Sequence, residues 1–331
     1  MIERRWLLKS AAAIAAPSTL GIPGLLRAQG SKWPTQTVKF VVPFTPGGST
    51  DLLARTFGKL LEPVLGQAVV IENRAGAGGA TAAGAVAKAD DQHTFMMGHI
   101  GTLAFNKWLY QSIPYDPETS FKAVAMGAVV PNILVVHPDV PARNVAEFVA
   151  LARSNPGKLN YGSGGVGSAA HIATAYFGYK TGTKLIHVPY RGTSPAVNDL
   201  VGGHIQFMMT GGPATLPLVA GGKLRALSVS SRARVPFAPD LPTVIESGVP
   251  DFVADQWYGL VAPINTRDDI VQRLNEEINK LMTAREVVEN MKNDGAIASP
   301  MSPEQFGAFI KSELALWRDV IKNAGITGTP G

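Results

Sequence analysis

Two short loops of this sequence combine glycine with polar residues that begin helices, and these residue types bind small anions. The first loop follows a strand pattern at 38–42, and its residues are Thr45, Pro46, Gly47, Gly48, Ser49, Thr50 and Asp51. The second follows a strand pattern at 159–163, and its residues include Ser163, Gly164, Gly167 and Ser168. Apolar residues at helical spacing come after each loop. The first N–H groups of a helix lack partners and lie at the positive end of its dipole, so both loops are candidate anion sites.

We expect the two loops to face each other across a cleft, because ligands of open α/β sheets lie beyond the carboxyl ends of the strands. The serine and threonine hydroxyls of both loops would add donors, and this combination suits a ligand with one or two carboxylates. His99, at the end of a strand pattern, is a candidate wall residue. His171, just inside the second helix, either faces the cleft or packs within its lobe. The alternative is that both loops are only structural turns.

Other chemistries have weaker support. The run 162–167 fits Gly-x-Gly-x-x-Gly, and Arg191 at the end of the next strand pattern could meet a 2′-phosphate, which keeps an exported NADP-dependent oxidoreductase open. Arg74 could pair with a ligand, but an ion pair within the protein is the stronger expectation. Trp257 and Tyr258 are expected in the core. No serine has glycine at both −2 and +2, the histidines are scattered, and the chain has no cysteine. We therefore expect no enzyme activity, no metal and no cofactor.

Strand and helix patterns alternate along the chain, which predicts an α/β fold. Two crossings, near 131–137 and 252–257, divide the predicted elements into two lobes with a cleft between them. The predicted boundaries place 29–135 and 254–331 in lobe 1 and 136–253 in lobe 2. A strand is predicted across 121–137 with Pro131 at the crossing, and a helix near 267–282 with Thr266 as its cap.

The N-terminal segment 1–28 has the layout of a twin-arginine signal peptide, with Arg4 and Arg5 before an alanine-rich apolar run. A disordered extension is the alternative. Removing this segment takes away four basic residues and one acidic residue, which lowers the formal net charge from +5 to +2. The basic balance is therefore no argument for nucleic acid binding. We expect the protein to be exported to the periplasm of a Gram-negative type of cell.

Seven motifs, in order, carry a family resemblance. They are 42–51 (VPFTPGGSTD), 72–79 (ENRAGAGG), 114–117 (PYDP), 156–163 (PGKLNYGS), 188–192 (VPYRG), 222–227 (GKLRAL) and 240–243 (DLPT). Over residues 34–326 the chain resembles the substrate-binding proteins of tripartite tricarboxylate transporters, the Bug family of periplasmic receptors. The resemblance implies a two-lobe periplasmic binding protein fold (type II-like), in which each lobe is a mixed, mostly parallel sheet flanked by helices and the ligand cleft lies between the lobes.

The resemblance also implies how such a receptor works. It implies a monomer that closes over a small organic acid and delivers it to inner-membrane transporter subunits. The carboxylate would be held by 45–51 and 163–168, partly through ordered waters, with His171 close by. A sensor kinase is the alternative partner.

The chain departs from the family pattern at two positions. Thr210-Gly211-Gly212 stands where an Asp-Asn pair is frequent, and His99 replaces a small polar residue. Thr210 is therefore a candidate ligand residue in a less acidic wall. This wall disfavours amino-acid-like or hydroxylated ligands and leaves more room for an uncharged or aromatic body. The expected ligand is a small organic acid, either aromatic or dicarboxylic.

Overall fold

The computed structural model describes residues 33–293 and 295–327, so the predicted signal peptide lies outside the described residues. The strands are β1 (Val38–Val42), β2 (Val69–Asn73), β3 (Thr94–His99), β4 (Phe121–Val130), β5 (Asn132–Val136), β6 (Asn160–Ser163), β7 (Ile186–Pro189), β8 (Phe207–Gly211), β9 (Arg225–Val229), β10 (Gln256–Pro263) and β11 (Ile297–Ala298). The helices are α1 (Ser49–Leu65), α2 (Ala80–Ala87), α3 (Asn106–Leu109), α4 (Val145–Ser154), α5 (Ala169–Thr181), α6 (Thr193–Val201), α7 (Gly212–Ala220), α8 (Asp268–Thr283), α9 (Arg285–Asn293) and α10 (Pro303–Asn323). A 3₁₀ turn covers Ala77–Gly79, and a π-helical turn covers Gly101–Phe105.

The strands form two mixed sheets. The first has the order β11-β4-β10-β3-β1-β2, and the second has the order β7-β6-β8-β5-β9. In the second sheet β5 is antiparallel to β8 and β9, whereas β6 is parallel to β7 and β8. In the first sheet β10 is antiparallel to β3 and β4. The reversed strands β5 and β10 each enter a sheet from the other one. The short edge strand β11 is also reversed, since it pairs antiparallel with β4.

The chain passes between the sheets at two points, and hydrogen bonds connect these two crossings. β4 and β5 are separated by Pro131, which has no N–H to continue the ladder. The sequence places the first lobe boundary after residue 135, whereas the strand that contains this residue pairs within the second sheet. At the crossings Asn132 Nδ2 donates to the Ala254 carbonyl over 2.5 Å, and Ser230 Oγ donates to Asp255 Oδ1 over 2.7 Å.

The core follows the period-two pattern of the buried strands. In β5, Leu134 and Val136 pack into one apolar cluster, whereas Ile133 and Val135 pack into another on the opposite face. Helices cover both faces, so every residue of β5 is buried. This packing fixes the positions of the loops that leave the strand ends.

Two local features differ from the sequence expectation. The edge strand β11 has only two residues and gives no recognisable strand pattern. α8 begins at Asp268 after Arg267, and Thr266 does not cap it. Within the described ranges, no helix has the length and apolar character needed to cross a membrane.

Candidate functional site

The loop between β1 and α1 presents an uncapped helix start. Gly48 precedes the helix in an extended conformation and no side chain caps the first turn. The turn before it needs glycine, because Gly47 has a φ of +86°. The hydroxyls of Ser49 and Thr50, which the sequence suggests as caps, lie inside the first turn instead. The first N–H groups of α1 are therefore not taken up by a side chain of this loop.

Asp51 holds this loop together from within. Its Oδ2 accepts from the Gly47 N–H over 2.9 Å and from Arg55 Nε over 3.0 Å, and its Oδ1 accepts from Asn73 Nδ2 over 2.9 Å. Burial by itself raises the pKa of this carboxyl, but the hydrogen bonds from Arg55, Gly47 and Asn73 together lower the pKa below its usual value. Asp51 is thus an ionised brace of the loop rather than part of a cavity wall.

The second loop is supported by a pair of stacked histidines. The rings of His171 and His187 lie 4.1 Å apart at an angle of 20°, and Ser163 Oγ lies 2.6 Å from His187 Nε2. His171 Nδ1 accepts from the Gly167 N–H over 3.3 Å. Burial and then the neighbouring His187 lower the pKa of His171 to about 3, and burial lowers the pKa of His187 to about 4. Both imidazoles are neutral at pH 7, and they support the second loop through these contacts.

Between the two sheets lies a small inner cavity at which helix N-termini converge. It is lined by Phe44, Gly48, Ser49, Thr50, His99, Ser168, Ala169, Ala170, Thr193, Thr210, Gln256 and Tyr258. α1, α5 and α6 begin in this wall, and α7 begins at Gly212, just after Thr210. The described residues that line it include no Asp, Glu, Lys or Arg. The cavity offers about 20 Å³ to the centre of a water molecule, and a single water needs roughly 10–15 Å³.

His99 lines this cavity and has a hydrogen-bond donor without a partner among the described residues. Its Nδ1 accepts from the Thr102 N–H over 3.0 Å, so the ring proton lies on Nε2. Nε2 is buried and has no hydrogen-bond partner among the described residues. Burial lowers the pKa of His99 to about 4, which leaves the imidazole neutral. A buried donor without a partner is costly, so this N–H indicates a position for a ligand oxygen.

Gln256 and Tyr258 line the inner cavity, and sequence reasoning missed both as candidate site residues. Tyr258 was expected in the core, and it is buried, but its ring also lines the inner cavity. Its hydroxyl donates to Gln256 Oε1, and Gln256 Nε2 donates to Asn132 Oδ1 at the crossing. Burial raises the pKa of Tyr258, so the hydroxyl keeps its proton. The cavity wall is therefore hydrogen-bonded to the segment where the chain changes sheets.

The loops of the two sheets touch each other directly. Ser194 Oγ donates to the Pro46 carbonyl over 2.9 Å, and Tyr110 Oη donates to the Val166 carbonyl over 2.8 Å. Gly192 lies against Thr45, where any Cβ would overlap Thr45 Oγ1. The structure therefore has the loops in contact around the cavity, which is a closed arrangement.

A wider outer cavity adjoins the inner one. It measures about 450 Å³ on the same scale and is lined by Phe44, Ala75, Gly76, Ala77, Gly78, Gly79, Tyr110, Gly164, Gly165, Val166, Tyr190 and Arg191. Phe44 lines both cavities. Arg74 is outside it and pairs with Glu72 at 2.5 Å, in accord with the ion pair expected from the sequence.

The residues selected from sequence fall into three groups. Those that line the inner cavity are Gly48, Ser49, Thr50, His99, Ser168 and Thr210. Gly164 lines the outer cavity. Those that shape or brace the loops without lining either cavity are Thr45, Pro46, Gly47, Asp51, Ser163, Gly167 and His171. Thr193 was missed, although it begins a helix just as Ser49 does. In the part of the chain that the structure describes, no cluster of His, Cys, Asp or Glu could hold a metal ion.

Two α/β units that enclose a polar cavity between their strand ends define the class of periplasmic solute-binding proteins. The chain belongs to the tripartite tricarboxylate transporter family of receptors (TctC), whose profile matches residues 53–326. It is 36% identical over 310 residues to Protein BugT of Bordetella pertussis, a match that covers 93% of this chain and 94% of BugT.

Solved structures support the same assignment. The chain superposes on R. palustris Rpa4515 with adipate at a TM-score of 0.87 with 37% identity, covering 89% of this chain and 99% of that one. It superposes on MatC (Rpa3494) from Rhodopseudomonas palustris with bound malate at a TM-score of 0.84 with 32% identity, covering 87% and 100%. The resemblance to the Bug family drawn from the sequence motifs is confirmed.

Proposed function

We propose that this receptor captures a small organic carboxylate in the inner cavity and delivers it to the membrane subunits of a tripartite transporter. One observation carries the proposal. Helix N-termini from both sheets converge on a buried cavity whose lining has neutral donors and no ionised side chain. An anion is the ligand class that such a wall stabilises, because the helix dipole ends of one sign meet there and the first turns of α1 and α6 have no side-chain cap.

The magnitude of this stabilisation is sufficient to select for charge. A helix N-terminus stabilises a nearby anion by about 0.3–1 kcal/mol when exposed and by up to about 2 kcal/mol when partly buried. With α1, α5 and α6 in the wall, the dipoles together contribute a few kcal/mol. The His99 Nε2–H and the hydroxyls of Ser49 and Thr193 supply hydrogen bonds in addition. A neutral ligand of the same shape would gain much less from this wall.

The donors in the wall of the inner cavity come from both sheets, and this explains why a ligand would favour the closed form of the receptor. α1 and His99 belong with the first sheet, whereas α5 and α6 belong with the second. A ligand can shift the balance between open and closed forms only by binding one form better, and contacts from both sides exist only in the closed form. We therefore assign strands β1–β4, β10 and β11 to lobe 1 and β5–β9 to lobe 2, which hinge at the two crossings.

The structural neighbours support the ligand class, because one was solved with adipate and another with malate. The proposed receptor is a monomer in the periplasm, reached through the signal peptide at 1–28, and it catalyses no reaction. Its ligand site comprises the fourteen residues selected from sequence, some in the cavity wall and others as braces of its loops, together with Phe44, Thr193, Gln256 and Tyr258.

The melting temperature of the purified protein tests this proposal against a panel of acids. The panel contains mono-, di- and tricarboxylates, aromatic acids, the diamides of adipate and malate, and NADP. A ligand that binds only the folded form raises the melting temperature by mass action. We expect a rise with at least one carboxylate and none with its amide. A rise with NADP alone, or with amide and acid alike, would overturn the proposal.

A further inference from the structure

Building on the proposed function, we infer that the outer cavity is a second anion subsite in which Arg191 receives the distal carboxylate of an elongated dicarboxylate. The first support is volume. The inner cavity of about 20 Å³ holds little more than one small polar group, whereas the outer cavity offers about 450 Å³. In this closed arrangement, a ligand whose carboxylate occupies the inner cavity must place its remaining atoms elsewhere. The outer cavity is the adjoining space.

The two cavities are neighbours across a thin wall. Phe44 lines both of them. The backbone of Gly164 lines the outer cavity, and a Cβ placed on it would lie 3.5 Å from Ser168 Cβ and 3.5 Å from the Thr193 N–H nitrogen, both in the inner wall. Gly164 carries no side chain, so there is room for a carbon atom beside Ser168 and Thr193, and in the proposed complex the apolar body of the ligand passes through this point.

The charge of the outer cavity favours a second anion. Among the residues that line it, Arg191 alone is ionised, and it makes no ion pair with any described residue. Glu72 pairs with Arg74, and Asp199 accepts from Tyr190 Oη over 2.6 Å, so these two acids have other partners. The remaining lining is mostly glycine and alanine, which lets a ligand approach backbone N–H groups in 75–79 and 164–166.

Both sheets contribute to this subsite, as they do to the inner cavity. Residues 75–79 and Tyr110 lie with the first sheet, whereas 164–166 and Arg191 lie with the second. Tyr110 Oη also donates to the Val166 carbonyl across the outer cavity. A dicarboxylate would therefore bridge the lobes at two points, and the pair of subsites would select it over a monocarboxylate of equal length.

Calorimetric titration of matched acids tests the inference. The ligands are the dicarboxylates from succinate to suberate, and for each one its monoamide and the straight-chain monocarboxylate of equal carbon number. The proteins are the wild type, Arg191→Gln and Arg232→Gln. Arg232 is an exposed arginine of the same lobe that lines neither cavity, which makes it a matched control.

We expect the wild type to prefer the best dicarboxylate over its monoamide by about fivefold to tenfold, as a partly exposed charge-assisted hydrogen bond allows. Arg191→Gln should abolish this preference and leave monoamide affinity within twofold, while Arg232→Gln matches the wild type. Added salt should reduce the preference. The subsite alone would be overturned if acids bind but the wild type prefers the dicarboxylate over its monoamide by less than twofold. It would also be overturned if Arg191→Gln leaves this preference intact. Failure of every acid to bind would overturn the proposed function itself.

Discussion

His99→Asn should weaken ligand binding without unfolding the protein. His99 lines the inner cavity. Its Nδ1 accepts from the Thr102 N–H over 3.0 Å, and its buried Nε2 has no hydrogen-bond partner among the described residues. Asparagine places its Oδ1 near the position of Nδ1, so it keeps the acceptor for Thr102. It has no atom at the position of Nε2, so the donor to the ligand is lost.

The expected loss follows from the charge of the ligand. A hydrogen bond to a charged group contributes about 1.5–3 kcal/mol, and about 1.4 kcal/mol corresponds to a factor of ten in affinity. We therefore expect the dissociation constant of the best carboxylate to rise by roughly 10- to 150-fold. Because His99 is neutral with a pKa lowered to about 4, wild-type affinity should stay constant between pH 5.5 and 8 as far as this residue is concerned.

Titration calorimetry on three proteins checks this reasoning. His99→Gln is the matched control, since glutamine places an amide N–H near the position of Nε2 and gives up the acceptor for Thr102. We expect His99→Gln to bind more tightly than His99→Asn. The reasoning is refuted if folded His99→Asn binds within threefold of the wild type, or if His99→Gln is the weaker binder.

Three further changes have defined outcomes. Tyr110→Phe removes a hydrogen bond between the lobes and should weaken ligand binding by about threefold to tenfold in calorimetry. The loss should come from a faster off-rate of the ligand, and an unchanged off-rate would contradict this. Asp51→Asn should lower the free energy of unfolding by about 1–3 kcal/mol in urea titrations, since it removes the charge that braces the first loop. Stability should fall as pH drops from about 6.5 to 4, because His171 and His187 take up protons only on unfolding, and His187→Gln should flatten this slope.

Local sequence signals predicted the parts of the site that are themselves local. A glycine turn followed by Ser49 and Thr50 predicts a helix start from neighbouring residues alone, and the same pattern is present at Ser168. Pro131 marks the first crossing, because it cannot donate to a strand ladder. Alternating strand and helix patterns also predicted an α/β fold in two lobes, whereas the mixed sheets were implied by the family resemblance.

The remaining site residues depend on long-range packing, and for that reason the sequence did not predict them. Tyr258 lies in a wholly buried strand, where alternation cannot distinguish core from cavity. The direction of the His99 proton depends on the Thr102 N–H within an unusual π-helical turn. Asp51 looks like a ligand residue by position, but Asn73 and Arg55 take up its carboxylate, and Asn73 comes from a different strand.

The distance between the proposed lobes, measured with and without ligand, tests the central claim most directly. The sequence has no cysteine, so one spin label can be attached to each lobe through Lys59→Cys in α1 and Asn198→Cys in α6, both at exposed positions. The probes are the carboxylate that raises the melting temperature most and its amide. We predict that the acid shifts the electron–electron distance distribution to a single shorter distance, while the amide leaves it unchanged. A carboxylate that binds yet leaves the distribution unchanged would contradict capture by closure between the lobes.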